Sequence, residues 1–291
     1  MRIFMTGATG FIGSRVVQDL LEAGHQVPGL ARTDDAVLAL AAAGAQALRG
    51  DLTDLISLRR GVADCDGVIH TAFVHEDMSR FKQACDIDLN AINAMAEALA
   101  RTNRPLVVTS GTAAHTEDLA APVGSIAVPR MSEQAATKAV AQQMRASIVR
   151  LPQVHDRNRQ GLVSYLIALA RAKGMSAYIE EGMNRWPAVH RSDAALLYRQ
   201  VLEYGLAGAR YHAVAEEGVT LRAIAEAIGR RLGVPVVSLS REDAGDHFGW
   251  LAFFVGLDMP ASSALTRARL HWRPKQADTM IEDRESSSAR K

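Results

Sequence analysis

The stretch Thr6-Gly7-Ala8-Thr9-Gly10-Phe11-Ile12-Gly13 follows a short apolar run and precedes a helical pattern. Glycine at 7 permits a tight turn, glycine at 10 lets backbone amides approach a phosphate, and glycine at 13 lets the helix lie close to the sheet. The free amides at the start of that helix favour an anion. This stretch therefore predicts a dinucleotide-binding turn. The cofactor contacts expected from it are Thr6, Gly7, Thr9, Gly10, Phe11, Ile12 and Gly13.

Working outward, strand-like and helix-like segments alternate through the first half of the chain. The predicted strands lie near 2–6, 25–31, 45–48, 66–71, 105–110 and 146–151. The predicted helices cover 12–23, 34–43, 79–102 and 130–144. Such alternation predicts an α/β fold of the Rossmann type, with a doubly wound parallel sheet and right-handed crossovers.

The regular alternation fades after about residue 152, which predicts a smaller, mixed C-terminal substrate lobe. Helical patterns remain at 160–173, 192–204 and 219–232, the last beginning at Thr220 and closed by Gly233, before a strand-like run at 234–239. We predict a dinucleotide-binding domain over 1–155, to which residues 186–215 return. The substrate lobe is formed mainly by 156–275, and residues 276–291 form a disordered tail.

Composition limits the classes of partner. Lys and Arg number 33 against 32 Asp and Glu, so no overall field favours nucleic acid or an acidic membrane, and a small-molecule substrate is expected. No apolar run is long enough to span a bilayer, and a cytoplasmic enzyme is expected. Cys65 and Cys85 lack metal-binding or redox spacing, which predicts buried, reduced thiols and no metal site.

Cofactor choice depends on the end of the second predicted strand, where Arg32 stands in place of the acid that many NAD-binding units carry. A guanidinium there favours a 2′-phosphate, so NADP(H) is predicted over NAD(H), which stays the alternative. Asp34 and Asp35 either reach a ribose hydroxyl or belong to the start of the next helix.

The order of several motifs resembles the short-chain dehydrogenase/reductase superfamily, in its extended or atypical branch, which includes NAD-dependent epimerase/dehydratase-like proteins. Besides the glycine stretch, these motifs are GDLTD at 50–54, DGVIHTA at 66–72, AVHRSDAA at 188–195 and LHWRP at 270–274. The resemblance implies that Asp51 and Leu52 border the adenine, and that Thr71, Ala72 and Phe73 line the ribose and nicotinamide side. Asp51 has a second interpretation, as the cap of the helix that begins near Asp54.

One departure from the superfamily bears on catalysis. Its hydride-transferring members use a tyrosine with a lysine four residues later, yet the sequence contains no Tyr-x-x-x-Lys. Aligned on Lys138, the tyrosine position holds Gln134; aligned by distance back from 150–152, the pair falls at Pro129 and Glu133. Neither alignment restores a phenol. A group other than tyrosine must therefore donate a proton to the substrate oxygen or stabilise its charge.

Four residues are candidates for that role. Ser110 and Thr112 follow the fifth predicted strand, although each hydroxyl can instead satisfy its own backbone. Histidine is a common general acid or base in enzymes, but His190 sits where histidines often make structural hydrogen bonds. Glu133, next to Ser132, can form part of a replacement site or simply belong to a helix N-terminus. Further residues in regions that the family uses near substrate are His115, His155, Tyr165 and Trp186.

Three functions follow from these observations. The first is an NADP(H)-dependent oxidoreductase acting on a small carbonyl/alcohol pair or related C=X group, with the aromatic run 247–254 forming either a substrate wall or ordinary core. The second is a sugar-nucleotide epimerase or dehydratase, which the lack of an evident arginine cluster in the second lobe disfavours. The third is a catalytically silent NADP(H)-binding sensor or scaffold. Apolar faces on 79–102 and 130–144 also suggest a homodimer.

Overall fold

The computed structural model describes residues 1–74, 80–112, 114–120, 130–276 and 279–281. Its main sheet contains seven parallel strands in the order β10-β6-β5-β4-β1-β2-β3. Their bounds are β1 (Ile3–Thr6), β2 (Pro28–Ala31), β3 (Gln46–Arg49), β4 (Gly67–His70), β5 (Leu106–Gly111), β6 (Ala146–Leu151) and β10 (Arg210–His212).

Helices cover both faces of this sheet because its strands are apolar on both sides. Alternate residues of β1 show the division: Ile3 and Met5 pack in one core cluster, and Phe4 packs in the other. The first cluster includes side chains of α1 (Gly13–Glu22), α2 (Asp34–Ala42) and α7 (Arg191–Tyr204). The second includes side chains of α3 (Leu55–Ala63), α4 (Phe81–Leu99) and α5 (Ser132–Ala141).

The rest of the chain builds a smaller lobe with a third core cluster around the fully buried Trp186. One small sheet joins β7 (Gln153–His155), β9 (Arg185–His190) and β11 (Glu216–Thr220), and another pairs β8 (Ser176–Ile179) with β12 (Val236–Leu239). The helices of this lobe are α6 (Val163–Lys173), α8 (Leu221–Leu232), α9 (Arg241–Phe248) and α10 (Ala252–Val255), whereas α11 (Ala264–Leu270) packs on α7 and β10 of the main sheet.

The predicted fold class is confirmed: a parallel Rossmann sheet carries a smaller mixed lobe. Helix α8 is capped by Thr220 and closed by a left-handed Gly233 as predicted, but its predicted start at 219 is wrong because Val219 pairs with Trp186 in β11. The domain boundaries stay a prediction, although α7 packs on α1 and β10 is an edge strand of the main sheet. Most of the predicted tail lies outside the described residues.

Candidate functional site

The glycine stretch forms a closed turn between β1 and α1. Gly7 has a φ of +70°, and its carbonyl accepts a hydrogen bond from the amide of Gly10 at 3.0 Å. A Cβ on Gly13 would lie 1.9 Å from the carbonyl oxygen of Gly7. The turn therefore requires glycine at 7 for its conformation and at 13 for the close approach of helix and loop.

The N-terminus of α1 is open toward a ligand. Its N-cap residue, Ile12, provides no side-chain hydrogen bond, and no acidic residue lies in the first turn. Thr9 and Gly10 are exposed beside it. Uncapped helical amides and the positive end of the helix dipole suit a pyrophosphate, so these residues fit a dinucleotide.

Two arginines that the sequence analysis missed lie beside this loop. The guanidinium of Arg191 is 4.8 Å from the ring centre of Phe11, and that of Arg159 is 5.5 Å from it. Arg191 also donates to the Ser14 hydroxyl at 3.1 Å and is held by Asp156 at 2.8 Å. Both cations add positive potential where a pyrophosphate would bind.

The end of β2 presents Arg32 as an exposed side chain. Thr33 caps α2 by accepting from the amide of Ala36, and the two aspartates that follow lie in the first helical turn. Asp34 also forms an ion pair with Arg49 at 2.6 Å. Of the two interpretations of these aspartates, the structure favours their place at the helix start.

Asp51 and Leu52 follow β3. One oxygen of Asp51 accepts from the amide and the hydroxyl of Thr53, at 2.8 and 2.7 Å. The alternative role for Asp51 as a helix cap is wrong, because Asp54 accepts from the first amides of α3 and is its cap. Leu52 packs partly buried against the second core cluster.

The end of β4 lies directly against the glycine loop. The Thr71 hydroxyl donates to the Thr6 carbonyl at 2.9 Å, and a Cβ on Gly7 would lie 2.6 Å from the amide nitrogen of Ala72. Phe73 follows, partly buried, where its ring meets the guanidinium of Arg130. Thr6 itself is fully buried and turned inward to His70. The structure thus brings the expected ribose and nicotinamide contacts beside the phosphate loop.

Glu133 is held in a buried ion pair. Its two oxygens accept from Nε and Nη2 of Arg150 at 2.8 and 2.7 Å, and Arg210 lies 3.3 Å away. Burial alone would raise the pKa of Glu133, but hydrogen bonds from Arg150 and Ser110 hold this pKa below its usual range. Glu133 is consequently a carboxylate that orients the Ser110 hydroxyl and keeps no proton to donate.

Residues 114–119, which follow β5, are fixed by contacts with distant residues. Arg150 donates to the carbonyl of Leu119 at 2.8 Å. The buried Glu117 accepts from the amide and hydroxyl of Thr266, at 2.8 and 2.9 Å, and a ring nitrogen of His115 lies 2.9 Å from the carbonyl oxygen of Pro260. Thr112 precedes these residues, with its amide bonded to Leu151 of β6.

His190 occupies a structural position. It is the N-cap of α7, where its Nδ1 accepts from the amide of Ser192 at 3.2 Å, and its ring meets His155 edge-on. This arrangement supports the structural interpretation of His190 over the catalytic one.

The two alignments of the missing tyrosine lead to different surroundings. Gln134 has a buried amide oxygen without a hydrogen-bond partner among the described residues. Lys138, four residues later, is exposed and faces a depression shared with Asn93 and Glu97 of α4. Pro129 of the other alignment lies outside the described residues. Lys138 therefore lies on the α4 side of α5 and not beside the glycine loop.

The aromatic run 247–254 divides between core and surface. Phe248 and Leu251 are buried in the third core cluster, whereas Trp250 and Phe253 are nearly half exposed. Trp250 stacks edge-on with the exposed Tyr165 at 5.2 Å. The core interpretation therefore applies to Phe248 and Leu251, and a substrate wall formed by Trp250 and Phe253 stays a prediction.

Other sequence-based expectations concern cysteines, metals and membranes. Cys65 and Cys85 are buried thiols whose pKa values burial raises, as predicted. In the part of the chain that the structure describes, no group of three or more His, Cys, Asp or Glu side chains could hold a metal ion. No helix of the described residues has the length and apolar character needed to cross a membrane.

A buried polar network beneath the site was not anticipated. Nδ1 of His70 lies 2.7 Å from the Thr6 hydroxyl, and its Nε2 lies 3.0 Å from Asp88. Asp88 in turn accepts from the Ser132 hydroxyl at 2.5 Å. Burial would raise the pKa of Asp88, but His70, Arg130 and Ser132 lower it below its usual range. The network joins β1, β4, α4 and α5 under the carboxyl edge of the sheet.

Comparison with known proteins identifies the family. The chain is 48% identical over 289 residues to the Schizosaccharomyces pombe uncharacterized protein C2A9.02, covering 97% of this chain and 98% of the relative. It is 43% identical to the Saccharomyces cerevisiae uncharacterized protein YLL056C, with 97% of each covered. A 2-alkyl-3-oxoalkanoate reductase of Stenotrophomonas maltophilia is 30% identical, with 81% and 77% covered.

Solved structures share the fold: that of gox2253 superposes with a TM-score of 0.75 at 22% identity, covering 98% of this chain and 96% of that one. The family model described as the NAD dependent epimerase/dehydratase family matches residues 3–214. That match includes the glycine loop, the end of β4 and the start of α5. The chain is therefore a member of the NAD dependent epimerase/dehydratase family and an NAD(P)-dependent enzyme of the oxidoreductase type.

Proposed function

We propose that the protein is an NADP(H)-dependent oxidoreductase of the short-chain dehydrogenase/reductase type that acts on the carbonyl/alcohol pair, or a related C=X group, of a small substrate. The observation that carries this proposal is the open phosphate loop beside Arg32. When bound, the reduced cofactor supplies a hydride to the substrate carbon. The amides at the start of α1 bind the pyrophosphate, and Thr71, Ala72 and Phe73 border the nicotinamide end.

The preference for NADP(H) rests on charge at the end of β2. An acid at this position would repel a 2′-phosphate and bind a ribose hydroxyl instead. Here Arg32 occupies the strand end, and Asp34 is engaged by Arg49 in the first turn of α2. A planar guanidinium can bind a phosphate through two hydrogen bonds, which a neutral side chain cannot match.

The test is a parallel titration with NADPH and NADH, followed by nicotinamide fluorescence and by thermal stability. Wild-type protein should bind NADPH at least tenfold more tightly. Arg32→Gln should lose this preference while NADH affinity stays within twofold. Arg59→Gln is the matched control, since Arg59 is an exposed arginine of α3 paired with Glu97. Equal affinity for the two cofactors in wild type would contradict the NADP(H) assignment.

Turnover is tested on a panel of small ketones, enones and imines with NADPH. A 3-oxo acid belongs in this panel because one relative is named as a 2-alkyl-3-oxoalkanoate reductase. Ser110→Ala and Thr112→Ala should lower turnover without changing cofactor affinity if these hydroxyls contact the substrate. Unchanged nicotinamide absorbance with every member of the panel would count against a reductase.

A second candidate function, in which the enzyme converts a sugar nucleotide, gains support from one depression in the lobe. Arg157, Arg171 and Arg231 line it together, although they are far apart in sequence. Their separation along the chain explains why no arginine cluster is evident in the sequence. Conversion of UDP-glucose without net oxidation of cofactor would favour this candidate over the first.

The homodimer through α4 and α5 also stays a proposal. Size-exclusion chromatography with light scattering distinguishes a monomer of 31.4 kDa from a dimer of twice that mass.

A further inference from the structure

We propose that Arg130 stabilises the negative charge that develops on the substrate oxygen, and so takes over part of the role that a tyrosine has in other superfamily members. This assignment rests on the proposed oxidoreductase function. Three observations support it: the position of Arg130 at the carboxyl edge of the sheet, the buried network that fixes its guanidinium, and the unused donors on one side of that group.

Arg130 lies two residues before α5, the helix on which the superfamily carries its tyrosine and lysine. Its Nη2 donates to the carbonyl of Thr109, the residue before Ser110, at 3.1 Å. Its guanidinium carbon lies 4.3 Å from the ring centre of Phe73, which follows β4. Arg130 thus joins the ends of β4 and β5, the edge where open parallel sheets bind their ligands.

The guanidinium is fixed before any substrate arrives. Its Nε donates to the Ser132 hydroxyl at 2.8 Å, and Nη2 lies 3.5 Å from Asp88. Asp88 is 1% exposed and is itself held by Ser132 and His70. Donors that are oriented in advance stabilise a developing charge without paying for reorganisation during the reaction, which makes them effective in catalysis.

One side of the guanidinium remains available to a ligand. Nη1 makes no hydrogen bond within the part of the chain that the structure describes, and the Arg130 side chain is 18% exposed. An arginine keeps its protons at all ordinary pH values, so it binds an anion but does not act as a general acid. As the substrate carbon gains hydride, the C=O electron pair passes to oxygen. The resulting oxyanion pairs with Nη1 of Arg130 and then takes a proton from a solvent water, which leaves as hydroxide.

The same geometry explains why Glu133 and Arg130 have separate roles. Glu133 points to Arg150 and to Ser110, while Arg130 is directed to the β4 side of the same helix start. The carboxylate therefore does not neutralise Arg130 through a direct hydrogen bond among the described residues. Asp88 is the acid that balances Arg130, from below the site.

The first test uses butyrate, a carboxylate that mimics the oxyanion, added to protein saturated with NADP⁺. Wild type should bind butyrate, measured by thermal shift and isothermal titration, and Arg130→Gln should lose at least tenfold in this affinity. Arg130→Lys should retain part of it because the charge remains. Arg59→Gln is the control and should behave as wild type. NADP⁺ affinity within twofold of wild type shows that each variant is folded.

The second test is turnover of a carbonyl substrate from the panel. Removal of one donor to an oxyanion costs about 10²- to 10³-fold in kcat, so Arg130→Gln should fall in this range, with partial recovery on addition of guanidinium chloride at millimolar concentration. Butyrate affinity in Arg130→Gln equal to that of wild type, or no butyrate binding by wild type, would overturn the assignment of Arg130. Failure of wild type to bind either cofactor would instead refute the proposed function itself.

Discussion

Substitution of Gly13 by alanine tests the phosphate loop most directly. The added Cβ would stand 1.9 Å from the carbonyl oxygen of Gly7 and 2.8 Å from its carbonyl carbon, and both neighbours are backbone atoms that cannot rotate away. Since Cβ contacts below 3.0 Å are essentially never seen, α1 and the loop must separate by about 1 Å. The amides that would bind pyrophosphate move with them.

The expected size of the effect follows from this clash. Overpacking of this kind costs about 1–3 kcal/mol, so urea unfolding of Gly13→Ala should show a free energy lower by about that amount. We expect the binding free energy of NADPH to weaken by a comparable amount. A change of about 2 kcal/mol in this free energy corresponds to roughly 30-fold weaker NADPH affinity. Fluorescence titration of NADPH measures the second quantity independently of the first.

Gly245→Ala provides the matched control. Gly245 lies within α9 without a positive φ, and a Cβ there would meet no atom within 4 Å. The same substitution should therefore stabilise the protein by about 0.5–1 kcal/mol through helix propensity and leave NADPH affinity unchanged. NADPH binding by Gly13→Ala within threefold of wild type would refute the placement of the pyrophosphate on this loop.

Two further predictions concern the buried charges near α5. Glu133→Gln leaves the fully buried Arg150 without its carboxylate partner. The free energy of unfolding, measured in urea, should therefore fall by about 3–5 kcal/mol. A decrease under 1 kcal/mol would contradict the buried pair. Burial and the nearby charge of Arg150 lower the pKa of His212 in the folded protein. In the unfolded protein this pKa is about 6.5. Between the two pKa values, the unfolded state therefore binds more protons than the folded state. Stability should be full above about pH 6.5 and decrease as the pH falls through the folded-state pKa. His212→Gln should remove this part of the pH dependence, and an identical pH profile in the variant would contradict it.

The parts of the molecule that the sequence predicted depend on local patterns. The glycine stretch lies within eight residues, and the apolar run before it is visible in Ile3, Phe4 and Met5 alone. Helix α8 is marked by its own terminal residues, Thr220 and Gly233. In each case the residues that specify the feature are near one another in the chain, so periodicity and turn chemistry are sufficient.

The parts that could not be predicted depend on distant partners. Arg191 reaches Ser14, just after the glycine stretch, across 177 residues, and Glu133 meets Arg210 across 77. Strand β10 has three residues, too few to show a period, and its place at the sheet edge depends on pairing with β6. Glu133 illustrates this limit of local sequence patterns. Its neighbours in the sequence suggested a helix N-terminus or a catalytic group, and its ion pair with Arg150 is visible only in the fold.

The contacts of the segment after β5 have a consequence for how the chain is made. Glu117 receives its hydrogen bonds from Thr266, 149 residues later, and Arg150 holds the same segment to β6 and to His212. During synthesis the glycine loop and β1 to β6 leave the ribosome long before Thr266 does. The nascent chain can therefore form the turn of the glycine stretch early, but Glu117 gains its hydrogen bonds only after Thr266 has been synthesised. In the order of synthesis, the turn between β1 and α1 is thus available before the residues that follow β5 can reach their final contacts.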